Sequence, residues 1–412
     1  FFVKNIRKLK RNIYLGKDAN ISGDSKTRWK NMARIALGQS KMVSRPISGI
    51  LHIIVYIGFV IINIEVLEII IDGLFGTHRI FSGIGSLYGV LIGTFEILAA
   101  LVFIAVVIFW FRRNVVKIKR FLSSEMKGWP KLDGNLILYF EIVLMGLFIL
   151  MNATDAEFQS MNSGNVISQF FAPMFEGYNI HLIERVAWWM HIIGILIFLN
   201  YLYYSKHLHI LLAFPNTYFG NLNPKGQFNN LEAVTNEVKS MMDPNVDPFA
   251  ATADDASVPD KFGASDVQDL NKIQLLNAYS CTECGRCTSE CPANQTGKKL
   301  SPRKIMMDTR DRLVEVGRNI DANKGTFVDD GKQLLGDYIT NEELWACTSC
   351  NACVEACPIS IDPLSIILEM RRYLVMEQSA APMELNTMMS NIENNGAPWP
   401  YNQMDRLNWK NE

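Results

Sequence analysis

Two cysteine runs constrain this chain more than any other feature. Residues 281–292 read C-T-E-C-G-R-C-T-S-E-C-P, and residues 347–358 read C-T-S-C-N-A-C-V-E-A-C-P. Both follow C-x2-C-x2-C-x3-C-P, and together they hold all eight cysteines of the 412-residue chain. With this spacing three thiolates wrap one face of a 4Fe–4S cube, while the fourth cysteine crosses to a second cube. Structural zinc usually takes its ligands as two separated pairs, and disulfides would not favour two copies of one pattern. The crossover assigns Cys281, Cys284, Cys287 and Cys357 to one cluster, and Cys347, Cys350, Cys353 and Cys291 to the other. Thiolate clusters persist in a reducing compartment, so this half of the chain is expected in the cytoplasm.

The rest of the chain divides sharply. The formal net charge is −1, which leaves no global footprint for nucleic acid. That average hides an apolar region at about 46–214 and a polar one after it. Roughly 20 apolar residues cross a bilayer. Four stretches meet that scale or come near it: 46–71, 85–111, 135–151 and 182–214, the last ended by Pro215. Residues 1–45 and 112–134 are rich in Lys and Arg, whereas 72–84 and 152–181 are not. Positive loops stay inside, so the cysteine half again falls on the cytoplasmic side. The opening Phe1-Phe2-Val3, followed by Lys4, Arg7, Lys8, Lys10 and Arg11, reads as the inner end of a further helix, truncated here. The expected fold is all-α: a bundle of four spans, with a fifth truncated at the start, followed by a helical cluster domain.

Histidines are the second signal. Of the six, His191 and His209 lie on the fourth span 18 residues apart. That is five helical turns, so they share one face about 27 Å apart. Imidazoles are common haem iron ligands, and ionisable groups inside a membrane are functional candidates. His52, near the inner end of the first span, is the expected partner of His209. His191 needs a partner near the outer side, and His78 is the candidate, although an unbroken first helix would carry it about 39 Å from His52. His207 is about 200° around the helix from His209 and is expected to point away; His181 reads as interfacial. Glu65, Glu68, Glu96 and Glu141 also fall within spans, where Glu65 and Glu68 share a face and could move protons for a quinone near the outer surface.

The stretch from His191-Ile-Ile-Gly to Ser205-Lys206-His207-Leu208-His209-Ile210 resembles the last span of the respiratory nitrate reductase gamma family. The resemblance covers about 46–214 and implies a b-type haem between His52 and His209, with a second haem on His191. Ile62 stands where that family carries another His.

Residues 215–265 form a Pro- and Asn-rich connector, with a short helix near 230–242. A helix over 267–280 leads to the first cysteine run. Residues 292–346 between the runs are 55 in number and carry helical patterns such as 301–316. Another helix over 361–376 follows the second run. Arg286 reads as a surface charge or partner contact. The long helical spacer and Leu344-Trp345-Ala346-Cys347-Thr348-Ser349-Cys350 resemble the α-helical ferredoxin domain of heterodisulfide reductase and of the succinate dehydrogenase and glycolate oxidase iron–sulfur proteins. The expected organisation is therefore a basic cytoplasmic segment (1–45), a transmembrane haem b domain (46–214), the connector (215–265), an α-helical ferredoxin domain with two 4Fe–4S clusters (266–380), and a tail (381–412).

The whole chain resembles the membrane components of heterodisulfide reductase and of bacterial electron-transfer-flavoprotein:menaquinone oxidoreductases. The resemblance implies a multi-pass protein of the bacterial cytoplasmic membrane. It implies electron transfer between a cytoplasmic redox partner and the quinone pool through two 4Fe–4S clusters and one or two b haems. No Cys-Cys-Gly occurs, and no G-x-G-x-x-G opens a nucleotide site. Substrate chemistry therefore belongs to a partner: a CCG-domain iron–sulfur protein, an electron-transfer flavoprotein or similar. The competing class is a membrane-tethered iron–sulfur sensor or cluster-assembly module, with plain anchoring helices and no haem.

Overall fold

Pro46 begins the first long apolar helix because its fixed φ and missing N–H suit a first turn. A computed structural model describes residues 1–19, 21, 23–161, 163–224, 226–244 and 261–411. Helix α1 (Phe2–Ile13) and helix α2 (Ser25–Met32) precede α3 (Pro46–Phe75), which ends at Gly76 in the left-handed region, φ 67°. Helices α4 (Ser86–Asn114) and α5 (Trp129–Thr154) follow. The short α6 (Ala156–Ser160) and then α7 (Ile180–Tyr201) complete the bundle. Four helices, α3, α4, α5 and α7 with its 3-10 extension, are long and apolar enough to cross a membrane.

These four pack as sequential antiparallel neighbours, α3 on α4, α4 on α5 and α5 on α7. Their shared core is Ile92, Phe95, Ala99 and Val102 of α4 with Phe148 and Met151 of α5. Small residues allow close approach between membrane helices. A Cβ on Gly58 would sit 2.4 Å from Val102, and one on Gly194 would sit 2.8 Å from Leu144. The outward faces carry Val60, Leu67, Leu101 and Ile197, all exposed, as lipid contact requires.

The fourth span differs from its expected form. It does not run unbroken to 214. After α7 a 3-10 turn covers Leu202–Tyr204, and Ser205 is extended at φ −110°, ψ 146°. A second 3-10 turn, Lys206–Leu208, then leads into α8 (His209–Tyr218). The break persists because side chains take over the freed backbone donors. Ser205 Oγ accepts from the His207 N–H at 3.0 Å, and Asp133 accepts from the Lys206 N–H at 3.1 Å. Pro215 lies inside α8 and does not end it. His191 and His209 are therefore on different helices.

Residues 245–260 of the expected connector lie outside the described residues; before them comes α9 (Glu232–Met242). The C-terminal domain contains α10 (Lys272–Ser280), α11 (Arg286–Ser289), α12 (Pro292–Gln295) and α13 (Pro302–Ala322). It continues with α14 (Asn341–Trp345), α15 (Ala352–Ala356) and α16 (Pro363–Arg372). Helix α17 (Met383–Asn395) lies in the tail and buries no residue. Among the described residues there are two isolated β-bridges and no strand. The domain core joins Leu275, Ile305, Leu313, Val316, Leu344, Ile366 and Met370. Helix α1 docks here: Lys8 reaches Asp321 of α13 at 2.6 Å, and Arg11 pairs with the same carboxylate. Its apolar face, Phe2, Ile6 and Leu9, packs with Phe198 and Leu202 at the end of α7.

Arg312 is fully buried and clamps the domain by bonding Asp266 at 2.8 Å and Asp330 at 2.6 Å. Replacing it by Met leaves two carboxylates without their cation. A buried pair broken on one side costs about 3 kcal/mol. Arg312→Met is expected to lower the thermal midpoint of the holoprotein by several degrees in calorimetry; an unchanged midpoint would remove the clamp from the domain's stability.

Candidate iron–sulfur and histidine sites

The two cysteine runs adopt the same backbone. In the first, Glu283 (φ 54°) and Gly285 (φ 71°) are left-handed; in the second, Ser349 (φ 54°) and Asn351 (φ 59°) occupy the matching places. Three of these are not glycine, and each such residue costs about 1–2 kcal/mol. The repeat makes the strain purposeful: alternating conformations of this kind turn successive N–H groups toward an anion. The Ser349 N–H already points at Cys347 Sγ, 3.4 Å away. Gly285 is also required sterically, because a Cβ there would meet Arg303 Nη1 at 2.5 Å.

The folded chain carries Cys357 to the first run. Cys281, Cys284, Cys287 and Cys357 line one small space together with Cys353, Met306, Pro358 and Ile359. Cys291 in turn stands beside Cys347 and Cys353. Among the described residues no three His, Cys, Asp or Glu side chains converge on a point that a single ion could occupy; the thiols surround a volume instead. Burial pushes the Cys281 thiol up to about 12 and that of Cys357 to about 11, and it lifts Cys287 well above its ordinary value. Such thiols hold their protons until a metal displaces them. Cationic groups stand ready for the charge of a thiolate cluster: Arg120 and Arg286 by Cys284, and Arg371 by Cys347. The donor set fits two 4Fe–4S clusters.

Arg286 is not the surface charge expected of it. It is buried and donates to the carbonyls of Lys41 (3.0 Å) and Met42 (3.1 Å) and to Ser44 (3.2 Å). The basic N-terminal segment is thereby tied to the first cluster loop.

His52 of α3 and His209 of α8 face each other with ring centres 6.4 Å apart and planes 42° apart. Two imidazoles on one metal, each nitrogen about 2 Å from it, place their ring centres about 6 Å apart. His209 Nδ1 lies 3.1 Å from the Lys206 carbonyl, a bond that sets the tautomer and leaves Nε2 free. His52 Nδ1 is buried with no hydrogen-bond partner. This geometry fits a bis-histidine haem. His207 does not point away: the break at Ser205 brings its ring to 5.4 Å from that of His209, and it also packs on Phe198. Helical-wheel counting missed it because the wheel assumed one continuous helix.

His191 is buried, with Nδ1 3.0 Å from the Leu144 carbonyl and its ring near Phe148. Its expected partner, His78, is committed elsewhere. His78 Nε2 meets Asp155 at 3.2 Å and Nδ1 meets Glu157 at 3.3 Å, so neither nitrogen is free for iron. The Asp155 hydrogen bond lifts the His78 pKa. Burial opposes the charge on Asp155, but bonds from His78 and Arg79 outweigh it and hold that carboxyl well below its usual range.

At this far end lies a cavity of about 260 Å³ lined by Glu65, Glu68, His78, Arg79, Glu184 and Trp188, among others. Glu68 accepts from Tyr88 Oη (3.1 Å) and the Phe81 N–H (2.9 Å). Glu65 Oε2 is buried without a hydrogen-bond partner. Glu96 is structural, accepting from Ile167 N–H (2.7 Å), Ser168 N–H (3.1 Å) and Asn152 (3.1 Å).

Exposure separates the thiols. Cys350 is exposed, whereas Cys281, Cys291 and Cys353 are buried. After iron is chelated, Cys350 is expected to alkylate at least about tenfold faster than Cys281 or Cys287, because the thiolate is the nucleophile. Peptide mass spectrometry reads the order; equal rates at all eight would show that the apoprotein loses this arrangement.

Residues 280–361 match the family described as 4Fe-4S dicluster domain. The chain is 29% identical to the probable iron-sulfur-binding oxidoreductase FadF of Bacillus subtilis (strain 168), over 93% of this chain and 54% of the relative. It is 25% identical to the EtfAB:quinone oxidoreductase of Syntrophomonas wolfei, over 92% of this chain and 53% of the relative. It is also 35% identical to a component of the ferredoxin/F(420)H(2)-dependent CoB-CoM heterodisulfide reductase of Methanosarcina acetivorans, over 27% of this chain and 56% of the relative. No solved structure matches the chain. The chain thus spans about half the length of the curated relatives it matches. It is a helical membrane protein carrying a dicluster ferredoxin domain, similar along nearly all its length to a probable iron-sulfur-binding oxidoreductase and to an EtfAB:quinone oxidoreductase.

Proposed function

We propose that this chain carries electrons between a soluble redox partner and a membrane quinone. The wire is two 4Fe–4S clusters and a b-type haem held by His52 and His209. The single observation that carries this reading is the juxtaposition of the His52–His209 pair, 6.4 Å between ring centres, with the first cysteine loop. Lys206, whose carbonyl receives His209 Nδ1, is itself ion-paired to Glu283 of that loop. When bound, the clusters and the haem supply one-electron carriers. The chain's own residues set their order. Cys350 is exposed, so the cluster of Cys347, Cys350, Cys353 and Cys291 is the one a partner meets. The cluster of Cys281, Cys284, Cys287 and Cys357 faces the bundle, next to Arg120 and the segment bound by Arg286. The name of the Syntrophomonas wolfei relative, EtfAB:quinone oxidoreductase, supports an electron-transfer flavoprotein as partner and a quinone as the membrane substrate. The Lys- and Arg-rich segments 1–45 and 112–134 lie at the ferredoxin end, which supports a cytoplasmic position for that domain.

The quinone ring belongs, on this reading, in the far cavity. Glu65 Oε2, buried and unbonded beside that space, is the group that would exchange a proton with a quinone oxygen, and Glu68, bonded to Tyr88, steadies the wall. His191 lies three residues from Trp188, hence one turn of α7 below the cavity, and its free Nε2 is the nearest ligand atom for a second haem.

Two measurements test the reading. His209→Ala is expected to abolish one b-type absorbance in the reduced-minus-oxidised spectrum while the cluster EPR signals remain; unchanged haem content would refute the His52–His209 site. Glu65→Gln is expected to slow quinone-dependent reoxidation of the reduced protein about 100-fold, the scale of a lost proton-transfer group, with cofactor content unchanged. An unaltered rate would take Glu65 out of the reaction.

A further inference from the structure

The boundary between bundle and ferredoxin domain contains a buried charge, the Glu283 carboxylate that pairs with Lys206. Glu283 sits between Cys281 and Cys284, is 3% exposed, and holds a left-handed φ of 54°. Two cations share its carboxylate: Lys206, in close contact, and Arg310 of α13, at 2.7 Å. Lys206 is equally committed on the membrane side. Its Nζ donates to the Pro130 carbonyl at 2.7 Å and lies 3.7 Å from Asp133. Its N–H donates to Asp133 at 3.1 Å, and Asp133 also accepts from Tyr201 Oη. Its carbonyl accepts from His209 Nδ1 at 3.1 Å. One residue therefore bonds the imidazole, the first turn of α5 and the cysteine loop.

We propose that Lys206 and Glu283 are a positioning pair that fixes the first cysteine loop relative to the His209 imidazole, and so sets the rate at which electrons cross between them. This rests on the haem and cluster assignments above. The pair acts through its neighbours and touches no reacting atom itself. A shift at Lys206 moves the His209 ring through its carbonyl and the Cys281–Cys284 backbone through Glu283. A merely adhesive ion pair would join the two domains without bonding the imidazole. Here the charged group and the carbonyl that orients His209 belong to the same residue, and the carboxylate belongs to the loop between two cluster ligands. The break at Ser205 places Lys206 in a 3-10 turn, where its carbonyl receives both the backbone N–H and the Nδ1 of His209.

The test uses the full holoprotein in detergent or nanodiscs. Lys206→Met and Glu283→Gln are expected to retain iron, acid-labile sulfide and haem. Both should slow haem reduction by photoreduced clusters at least tenfold, and Lys206→Met should also alter the haem EPR line shape as the His209 ring turns. Lys206→Arg keeps the positive charge that pairs with Glu283 and is expected to recover the rate. Unchanged haem reduction and line shape in Lys206→Met would overturn the proposal. If wild-type protein holds no b-type haem, the functional reading has failed on its own account, and hydrogen exchange then decides the inference. Faster exchange in Lys206→Met at both 205–209 and 281–287 supports the pair; faster exchange at neither or only one segment overturns it.

Discussion

Everything at the junction of the two halves depends on keeping charge buried without leaving it alone. A charge removed from water is tolerated only when partners surround it. Glu283 answers this with Lys206 and Arg310, and Arg303 with Glu125 at 2.7 Å and the Arg120 carbonyl at 2.7 Å. Arg45 bonds Glu290 at 2.8 Å, and Arg286 bonds the carbonyls of 41 and 42. These contacts recruit the basic stretches 1–45 and 112–134 to the ferredoxin domain. The same residues thus do two things: their positive charge favours one side of a membrane, and their side chains neutralise a domain built to hold thiolate clusters.

The opposite end of the bundle solves the same problem with other means. Arg79 is buried there, bonded to Asp155 and Asn152, each at 2.9 Å, and lies over the Phe158 ring. His78 and Tyr88 join the network. The polar groups are nearly all satisfied within it, which leaves the unbonded Glu65 oxygen conspicuous at the cavity wall. The two ends are therefore unlike: one closes over the cysteine loops and the His52–His209 pair, and the other opens a polar cavity beside a buried acid.

The dicluster domain was legible because its chemistry is written in local spacing. C-x2-C-x2-C-x3-C forms one loop, so its meaning survives any tertiary context, and the left-handed Glu283, Gly285, Ser349 and Asn351 are that local rule in backbone form. The spans were legible because hydropathy over some 20 residues reports the solvent directly. The histidines were only half legible. His52 and His209 were placed together by depth alone, which the fold respects. His78 was offered as a ligand by elimination, and elimination ignores the carboxylates of Asp155 and Glu157 that loop folding brings to it.

The sequence by itself therefore determined the all-helical class, the spans and the presence of a dicluster domain, since each follows from short-range spacing or composition. Tertiary structure alone decided the break at Ser205, the approach of His207 to His209, the burial of Arg286 and the Lys206–Glu283 pair. The physical reason is common to all four. Each depends on a side chain or backbone group distant in sequence supplying a hydrogen bond or counter-charge, as Asp133 does for the Lys206 N–H and as the carbonyls of 41 and 42 do for Arg286. No periodicity along one segment encodes such a partner.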